Sequence, residues 1–346
     1  MGSKRIRADE ALALFDLPLE DLKRLAQERR VQILPADQAT YLIMRIVSYT
    51  NVCVADCSYC AFYRRPGDPE AYVLTEREIF KKIDELLACG GSLVAMEGGF
   101  NPDLKIDHYE KLFQAVRRRY GASIEIYGPT SVEILYIANH SQISVEEALS
   151  RLWDSGLRWI PGGGAEILTP GWRKKLSPRK YSIEQYFRVM ELARKKGFGT
   201  TATMVIGFGE DNKARLEHLA RLREFQDKDG NFASFLCWTY QPDNTVLAGG
   251  RVSNEEYLKT IAISRLFLDN IPHIRASLLT EGEAGVKALL CGADDFDIPL
   301  EDQVTEKAGV NLETNIPRVL GWLESLGLQP VRRQPWSLPQ RLGLTG

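Results

Sequence analysis

Short apolar runs alternate with longer segments of helical periodicity along most of this 346-residue chain. Runs rich in β-branched residues predict strands, and apolar residues spaced three and four positions apart predict helices. The predicted strands are residues 42–48, 93–97, 123–127, 157–160, 200–206, 232–238, 274–278 and 294–296. The predicted helices between them are residues 76–88, 109–119, 183–196, 214–228, 254–268 and 284–290. Eight strands alternating with helices predict an α/β fold, the (β/α)8 TIM-like barrel.

The two ends of the chain are predicted to be extensions of this barrel. Residues 1–41 form an N-terminal helical extension, residues 42–300 the barrel, and residues 301–346 a C-terminal extension that packs on it and contains a helix. No Ser-rich or Gly-rich linker interrupts the chain, which favours one domain with extensions over two domains.

The composition and net charge of the chain indicate which kinds of molecule it is expected to bind. With 44% hydrophobic and 26% charged residues the chain has an ordinary globular composition, and its formal net charge is only −2. Such a balance gives no global field toward nucleic acid or anionic membranes, so a small-molecule partner is favoured. No apolar stretch is long enough for a membrane helix, and the first ten residues carry charges where a signal peptide is apolar. We therefore expect a cytoplasmic protein with no membrane or nucleic-acid partner.

Glycine-rich and polar loops follow the predicted strands. In a TIM barrel the chemistry lies where the strands end, and glycines beside a carboxylate let backbone approach a ligand while offering a fixed acceptor. After a first loop rich in cysteine, these loops are residues 97–99, 128–133, 161–166, 207–210 and 241–245. Any one of them could be an ordinary turn, but five on one rim favour a long polar ligand or two ligands.

Three of the six cysteines, Cys53, Cys57 and Cys60, lie within eight residues in a Cys-x3-Cys-x2-Cys pattern. Three thiolates leave one metal position open in a tetrahedral zinc site or a four-iron cluster. A zinc site with a distant fourth ligand is disfavoured, because none of the four histidines stands at zinc-ligand spacing. An iron–sulfur electron carrier is also disfavoured, since it usually has four cysteine ligands and needs no rim of loops. The scattered cysteines are expected to be structural core residues: Cys89, Cys237 and Cys291.

The cysteine pattern, with Tyr59 before its last cysteine, resembles the radical S-adenosylmethionine superfamily. The resemblance implies that Cys53, Cys57 and Cys60 hold a [4Fe-4S] cluster whose open iron binds S-adenosyl-L-methionine. An electron donor such as flavodoxin or ferredoxin would then drive cleavage to a 5′-deoxyadenosyl radical. The residues that the resemblance places at this cofactor are Tyr59, Glu97, Gly98, Gly99, Glu166, Arg173, Gly207 and Glu210.

A narrower resemblance extends along nearly the whole chain. Residues 49–53, 60–64, 98–104, 161–168 and 238–245 are similar to the futalosine-pathway enzymes of menaquinone biosynthesis and to their deazaflavin relatives. Residues 207–210 and 238–245 look most like the members that cyclise dehypoxanthine futalosine, by abstracting a ribose hydrogen and adding the carbon radical to the benzoate ring. The alternative is a paralogue with another substrate, of deazaflavin-precursor type or unknown. The candidate substrate-binding residues are Glu133, Gln241, Asp243 and Asn244.

Three stretches depart from that group. Glu97 stands where a glutamine is expected, and residues 45–48 lack the polar run expected in the first strand. The largest departure is residues 277–309, which bring Asp294, Asp295 and Asp297 to the far rim. If these aspartates face solvent or pair with arginine and lysine, the substrate remains a carboxylated futalosine derivative. If they line the pocket, we expect a substrate with amines or hydroxyls instead, because three carboxylates would repel a benzoate.

Overall fold

Eight parallel strands form a closed barrel in the computed structural model, which describes residues 5–230, 232–247 and 249–335. Each strand pairs with the next along the chain, and β1 pairs with both β2 and β8. The fold is therefore the predicted (β/α)8 barrel. The strands are β1 (Gln38–Thr50), β2 (Leu93–Gly98), β3 (Glu125–Tyr127), β4 (Trp159–Ile160), β5 (Gly199–Ile206), β6 (Phe232–Thr239), β7 (His273–Ala276) and β8 (Asp295–Pro299).

Helices surround the barrel. Serine, threonine or aspartate begins many of them; Thr75, Ser182 and Ser253, for example, each accept a backbone N–H three residues on, which satisfies one free donor of the first turn. The helices are α1 (Ala8–Leu14), α2 (Leu19–Arg30), α3 (Glu76–Ala88), α4 (Ile106–Tyr120), α5 (Ser131–His140), α6 (Val145–Asp154), α7 (Pro170–Leu176), α8 (Ile183–Lys196), α9 (Asn212–Asp229), α10 (Asn254–Phe267), α11 (Leu278–Glu281), α12 (Gln303–Lys307) and α13 (Ile316–Ser325). No helix among the described residues is long and apolar enough to cross a membrane.

Several elements differ from the sequence-based expectation. Helices α5, α6 and α7 were not predicted, and the predicted seventh strand is shorter because its last residue begins α11. The predicted helix at 284–290 is a 3-10 helix, Gly282–Leu290. An additional strand, β9 (Gln329–Arg332), pairs with the first residues of β1. Residues 336–346 of the predicted C-terminal extension lie outside the described residues.

Asp294 directly precedes β8 and Asp295 begins it, whereas Asp297 is its middle residue. Asp294 and Asp295 are therefore at the opposite end of the barrel from the rim on which the sequence placed them, and Asp297 lies midway along the strand. Each is paired with an arginine: Asp294 with Arg265, Asp295 with Arg333, and Asp297 with Arg275. The expectation that they pair with basic residues is confirmed, and Asp297 also borders a chamber inside the barrel.

The scattered cysteines divide into two kinds. Cys237 on β6 and Cys291 are buried, as expected. Cys89 is exposed, so the expectation of a core position is wrong for this residue. It directly follows α3 as the C-cap.

Candidate active site

A cavity of about 290 Å³ opens where the strands end, and the cysteine loop forms one of its walls. The predicted residues that line it are Cys53, Cys57, Tyr59, Cys60, Glu97, Gly98, Gly99, Glu133, Glu166 and Gln241. Five predicted residues do not line it: Arg173, Gly207, Glu210, Asp243 and Asn244. The cavity therefore contains ten of the fifteen predicted residues, and these come from the ends of five different strands.

The cysteine loop, residues 53–60, is held in place by backbone hydrogen bonds. Cys53 donates its N–H to the carbonyl of Arg64 at 2.9 Å, and Val54 donates to Phe100 at 3.1 Å. The Cys53 Sγ accepts the N–H groups of Ala55 at 3.4 Å and Phe100 at 3.3 Å. N–H groups aimed at sulfur are among the features that tune iron–sulfur clusters, so this loop fits a thiolate-bound cluster.

Gly98 and Gly99 allow β2 to approach the cysteine loop. A Cβ at Gly99 would lie 2.2 Å from the Val52 carbonyl oxygen and 2.6 Å from the Cys53 Cβ. A Cβ at Gly98 would lie 2.6 Å from the Tyr49 ring. Because real Cβ atoms do not come this close to other atoms, any larger residue would push the strand end and the loop apart.

Two thiols of the loop, those of Cys53 and Cys60, hold their protons more tightly than free cysteines do. Burial raises the pKa of Cys53, and burial followed by the neighbouring Cys57 raises that of Cys60 to about 11. Iron would have to displace these protons on binding, since the thiolate is the ligand. Among the described residues no three His, Cys, Asp or Glu side chains converge on a single ion. In a four-iron cluster, by contrast, each cysteine binds a different iron, so three separated thiols fit that group.

A buried charged network stands beside the cysteines. The Glu166 carboxylate accepts hydrogen bonds from Lys180 Nζ and Arg173 Nη1, both at 3.0 Å, and from the Tyr59 hydroxyl. Lys180 Nζ also donates to the Tyr59 oxygen at 2.8 Å. Burial by itself raises the pKa of Glu166, but Lys180 and Arg173 more than offset it, so the pKa lies below its ordinary value. Glu166 is thus an anion on the cavity wall.

Arg173 lies behind this wall. Its guanidinium donates to the carbonyls of Gly164, Ala165 and Tyr181 as well as to Glu166. Glu166 itself adopts a φ of +45° in the left-handed region, which is costly for a residue with a side chain. The arginine thus fixes the loop after β4 in the conformation that turns Glu166 into the cavity.

Glu133 is saturated by hydrogen bonds. One oxygen accepts the Tyr49 hydroxyl and the Gly98 N–H, both at 2.8 Å, and the other accepts the Thr130 N–H at 2.8 Å and its hydroxyl at 2.6 Å. Four donors occupy the four lone-pair positions of a carboxylate. In this arrangement Glu133 caps α5 and holds the glycine turn after β2, while its contact with a substrate stays a prediction.

Glu210 plays a similar structural part after β5. Its carboxylate accepts the N–H groups of Gly207 at 3.0 Å and Phe208 at 2.8 Å, and it pairs with Arg215 at 2.7 Å. This turn places the Phe208 ring 5.5 Å from the Tyr59 ring, centroid to centroid. Glu210 therefore stabilises the turn that supports the aromatic side of the cavity.

The loop after β6 carries the remaining candidates. Gln241 is buried, and its amide nitrogen donates to Thr239 and Thr280, whereas its carbonyl oxygen has no partner among the residues that the structure describes. Asp243 is exposed and lies 3.3 Å from Arg251, and Asn244 donates to the carbonyl of Lys307 at 2.8 Å. Gln241 thus offers an acceptor beside the cavity, Asn244 joins this loop to the last residue of α12, and Asp243 pairs with Arg251 before α10.

Glu97 is the one predicted cofactor residue with an unsatisfied carboxyl group in the cavity wall. Within the described parts of the chain it has no hydrogen-bond or ion-pair partner. Burial, followed by the charges of Glu133 and Asp302, raises the pKa of Glu97 to about 8, although Lys180 opposes this. At neutral pH the group is therefore mostly a carboxylic acid, with one donor and one acceptor.

Sequence reasoning missed two titratable residues of the cavity, Lys180 and Asp302. Lys180 lies in the loop between α7 and α8, far along the chain from any strand end, and nothing in the local sequence marks it. Asp302 follows β8 and is buried, which raises its pKa even though Thr305 and the Val304 N–H donate to it. It would have been placed on the rim had the eighth strand been predicted to reach Pro299.

Family models match two adjacent parts of the chain. Residues 47–222 match the radical SAM superfamily, and residues 229–338 match the CofH/MqnC C-terminal region. The first match contains the cysteine loop and the strand ends through β5, and the second contains the loops after β6, β7 and β8.

Curated relatives are similar along nearly the whole chain. The chain is 39% identical over 337 residues to the cyclic dehypoxanthine futalosine synthase of Halalkalibacterium halodurans, covering 96% of this chain and 91% of that protein. It is 38% identical to the enzyme of the same name from Streptomyces coelicolor, covering 95% and 84%. A 5-amino-6-(D-ribitylamino)uracil--L-tyrosine 4-hydroxyphenyl transferase from Methanosarcina mazei is 33% identical, with coverage of 94% and 86%.

A solved structure shares the fold. The crystal structure of methylornithine synthase superimposes with a TM-score of 0.76 at 21% identity and covers 95% of both chains.

Proposed function

The chain belongs to the radical SAM superfamily, and we propose that it cyclises dehypoxanthine futalosine to the spirocyclic product in menaquinone biosynthesis. It is an enzyme, and its cofactors are those of the superfamily, a [4Fe-4S] cluster and S-adenosyl-L-methionine. The observation that carries the substrate assignment is the identity of 38–39% to two relatives of this activity over at least 95% of the chain.

The cofactors supply one kind of chemistry when bound: reductive cleavage of S-adenosyl-L-methionine gives a radical that abstracts a hydrogen atom from the substrate. Cys53, Cys57 and Cys60 would hold the cluster, since their three thiols share one wall of the cavity. Gly98, Gly99 and the Glu166–Tyr59 pair are next to that wall and are proposed to hold S-adenosyl-L-methionine.

The contribution of the protein to catalysis is positional. A reacting carbon must be held close to the hydrogen-abstracting carbon, and water and other hydrogen donors must be kept away. Tyr59 and Tyr240 form an aromatic side of the cavity wall. The Phe208 ring packs against both, 5.5 Å from Tyr59 and 5.0 Å from Tyr240, ring centroid to ring centroid. Gln241, with its free carbonyl oxygen, is proposed to accept a substrate hydroxyl.

The charge state of the cavity is compatible with a carboxylated substrate. Burial raises the pKa of Glu97 to about 8, so this carboxyl is mostly neutral at pH 7. The carboxyl groups of Glu133 and Asp302 accept hydrogen bonds from donors at the starts of α5 and α12. Glu166 remains an anion, but Lys180 lies 3.0 Å from it. The wall therefore does not repel a benzoate as a row of free carboxylates would.

A one-electron donor such as flavodoxin or ferredoxin, and a cytoplasmic location, belong to the same proposal. The proposed arrangement also treats residues 42–300 as the catalytic barrel and residues 1–41 and 301–346 as its extensions.

The second candidate is a paralogue that acts on another substrate. It is favoured by the 33% identity to the Methanosarcina mazei transferase and by the departures at residues 277–309. Each of the three aspartates is paired with an arginine, which compensates its negative charge. This weakens the alternative, because an amine substrate was expected only if the aspartates formed an acidic pocket.

The deciding assay compares the two substrates directly. Reconstituted and chemically reduced enzyme is incubated with S-adenosyl-L-methionine and either dehypoxanthine futalosine or a mixture of tyrosine and 5-amino-6-(D-ribitylamino)uracil. We expect 5′-deoxyadenosine formation to be stimulated only by the first, with a product lighter than the substrate by two hydrogens. Stimulation only by the second mixture would contradict the proposal and identify the paralogue.

A further inference from the structure

Two spaces meet at Glu97. The first is the cavity that holds the cysteines, and the second is a chamber of about 50 Å³ deeper in the barrel. Glu97 lines both of them, together with Ile46, Thr203, Trp238 and Leu279. By volume the inner chamber has room for roughly three to five water molecules, so it suits one ring or a short chain rather than a nucleoside.

The inner chamber has mostly apolar walls and a charge-balanced polar floor. Its apolar lining includes Leu42, Met44, Ile46, Leu93, Ala95, Leu236 and Leu279. Its polar lining includes Tyr127, Arg275, Asp297 and Arg333. Asp297 pairs with both arginines, and Asp295 lies 2.7 Å from Arg333, so the floor has no large excess of either charge. Such a chamber suits an aromatic arm with a polar end.

The groups that face Glu97 leave its carboxyl without a partner of its own. Glu133 approaches from α5, but its oxygens are occupied by Tyr49, Gly98 and Thr130. Asp302, which precedes α12, is likewise bonded to its own helix. Lys180 is bonded to Glu166 and Tyr59, while Tyr127 on β3 is bonded to Thr201, and Arg275 on β7 pairs with Asp297. Glu97 is half-buried and lines both spaces, so a ligand that enters them would meet its carboxyl directly.

We propose that the carboxyl group of Glu97, which lines both spaces and has no partner among the described residues, donates a hydrogen bond to a carboxylate oxygen of the substrate. This inference rests on the proposed function, because it takes the substrate to be an aromatic carboxylate whose ring enters the inner chamber. A hydrogen bond from an acid to a carboxylate is charge-assisted and therefore strong. Once Glu97 ionises, the donor is lost and two negative charges face each other.

The protonation state of Glu97 determines how the affinity for the substrate should change with pH. The neutral form prevails below the pKa of about 8 and the anion above it. Because one proton on the enzyme is required for binding, the affinity is expected to fall about tenfold per pH unit above that value. A glutamine in this position keeps a donor and an acceptor but cannot ionise, so it should remove the pH dependence without removing the contact.

The test measures binding rather than turnover. Cluster-loaded, unreduced enzyme with bound S-adenosyl-L-methionine is titrated anaerobically with dehypoxanthine futalosine in a calorimeter between pH 6.5 and 9.5. We expect wild-type affinity to fall above pH 8, whereas Glu97→Gln should bind within about threefold of wild type at pH 7 and stay flat. Glu97→Leu should bind at least roughly fivefold more weakly at pH 7, since its donor is gone.

The controls separate this contact from folding and from cofactor binding. The exposed Glu324→Gln variant removes a similar charge far from the site and should follow the wild-type curve. The affinity for S-adenosyl-L-methionine is measured in wild type, Glu97→Gln and Glu97→Leu, because the sequence resemblance placed Glu97 at the cofactor. If the two variants lose cofactor affinity as much as substrate affinity, Glu97 holds the cofactor and this inference is overturned. Should Glu97→Leu fail to fold, the comparison of wild type with Glu97→Gln still decides the matter.

The outcomes also distinguish this inference from the proposed function. A wild-type affinity that stays flat through pH 9.5, or a Glu97→Gln curve that falls like the wild-type curve, would overturn the role of Glu97 alone. A substrate affinity unchanged in Glu97→Leu would do the same. Absence of any binding of dehypoxanthine futalosine at pH 7 would instead overturn the proposed function, and the inference with it.

Discussion

The network of Glu166, Lys180 and Tyr59 predicts a large loss of stability on removal of the lysine charge. In wild type Lys180 Nζ lies 3.0 Å from Glu166 and 2.8 Å from the Tyr59 oxygen. The two charged side chains are only 12% and 7% exposed, so solvent screens their attraction little. Lys180→Met keeps most of the length and apolar stem of the side chain but removes its charge and its donors.

The magnitude follows from what remains around Glu166. Breaking a buried ion pair typically costs about 3–5 kcal/mol, because one charge is left uncompensated. Here Arg173 stays 3.0 Å from the other carboxylate oxygen and keeps part of the compensation. We therefore expect Lys180→Met to lower the free energy of unfolding of the metal-free protein by about 2–3 kcal/mol at pH 7.

The pH dependence of this loss has a definite sign. The pKa of Glu166 is below its ordinary value in the folded protein, so its contribution is present above the unfolded pKa of about 4.5 and is lost as the pH falls through the folded pKa. Because Lys180 is the largest of the charges that lower this pKa, the difference between wild type and Lys180→Met should be greatest near neutral pH. It should shrink as the pH falls below about 4.5.

The assay is urea denaturation at a series of pH values, with Lys195→Met as the matched control. Lys195 also pairs with a glutamate, Glu191, but the two side chains are 53% and 27% exposed. Surface pairs of this kind contribute about 0–1 kcal/mol, so the control should lose little. Equal losses in the two variants would refute the description of Lys180 as part of a buried, charge-compensated network.

Three further predictions concern the cluster and the strand end beside it. Cys57→Ala should lose the cluster and the cleavage of S-adenosyl-L-methionine. Cys237→Ala should keep its iron content and lose only about 1–3 kcal/mol of stability. Loss of iron in Cys237→Ala would contradict the ligand assignment. Gly99→Ala should lower iron incorporation at least severalfold because its Cβ would meet a carbonyl at 2.2 Å, whereas Gly171→Ala, with nothing within 4 Å, should be neutral by the same iron analysis. Between pH of about 4.5 and about 8 the wild-type Glu97 carboxyl holds a proton only in the folded state, so wild type loses stability as the pH rises and Glu97→Gln should become more stable relative to it. A constant difference between the two in urea titrations over this range would contradict the raised pKa of Glu97.

The fold could be predicted from the sequence because parallel strands buried on both faces appear as short continuous apolar runs. All eight predicted strands overlap strands of the barrel, although β1 begins four residues earlier than expected. Helix α5 was missed because it is buried on more than one side, from Ser131 through Leu135, and so lacks a regular polar stripe. The short strand β9 is mostly exposed or half-buried, and its place depends on pairing with β1.

The site could be predicted where residues follow strand ends, and not where tertiary contacts bring residues in. The cysteines, the two glycines and Glu166 each come directly after a strand, so the topology of a barrel gathers them. Lys180 reaches the cavity only because the loop before α8 folds back over the cysteine loop, with Ser58 N–H bonded to the Leu176 carbonyl. The free carboxyl of Glu97 also depends on its surroundings, since the same residue beside a basic partner would be an ordinary anion.

The most direct test of the proposed function follows a hydrogen atom from substrate to cofactor. Reconstituted, reduced enzyme is given S-adenosyl-L-methionine and dehypoxanthine futalosine that carries deuterium at C4′ of the ribose, and the 5′-deoxyadenosine is analysed by mass spectrometry. If the cavity holds this substrate against the cofactor as proposed, the 5′-deoxyadenosine should gain one deuterium and the cyclised product should lose it. Unlabelled 5′-deoxyadenosine, formed at the same rate with and without the substrate, would contradict the assignment.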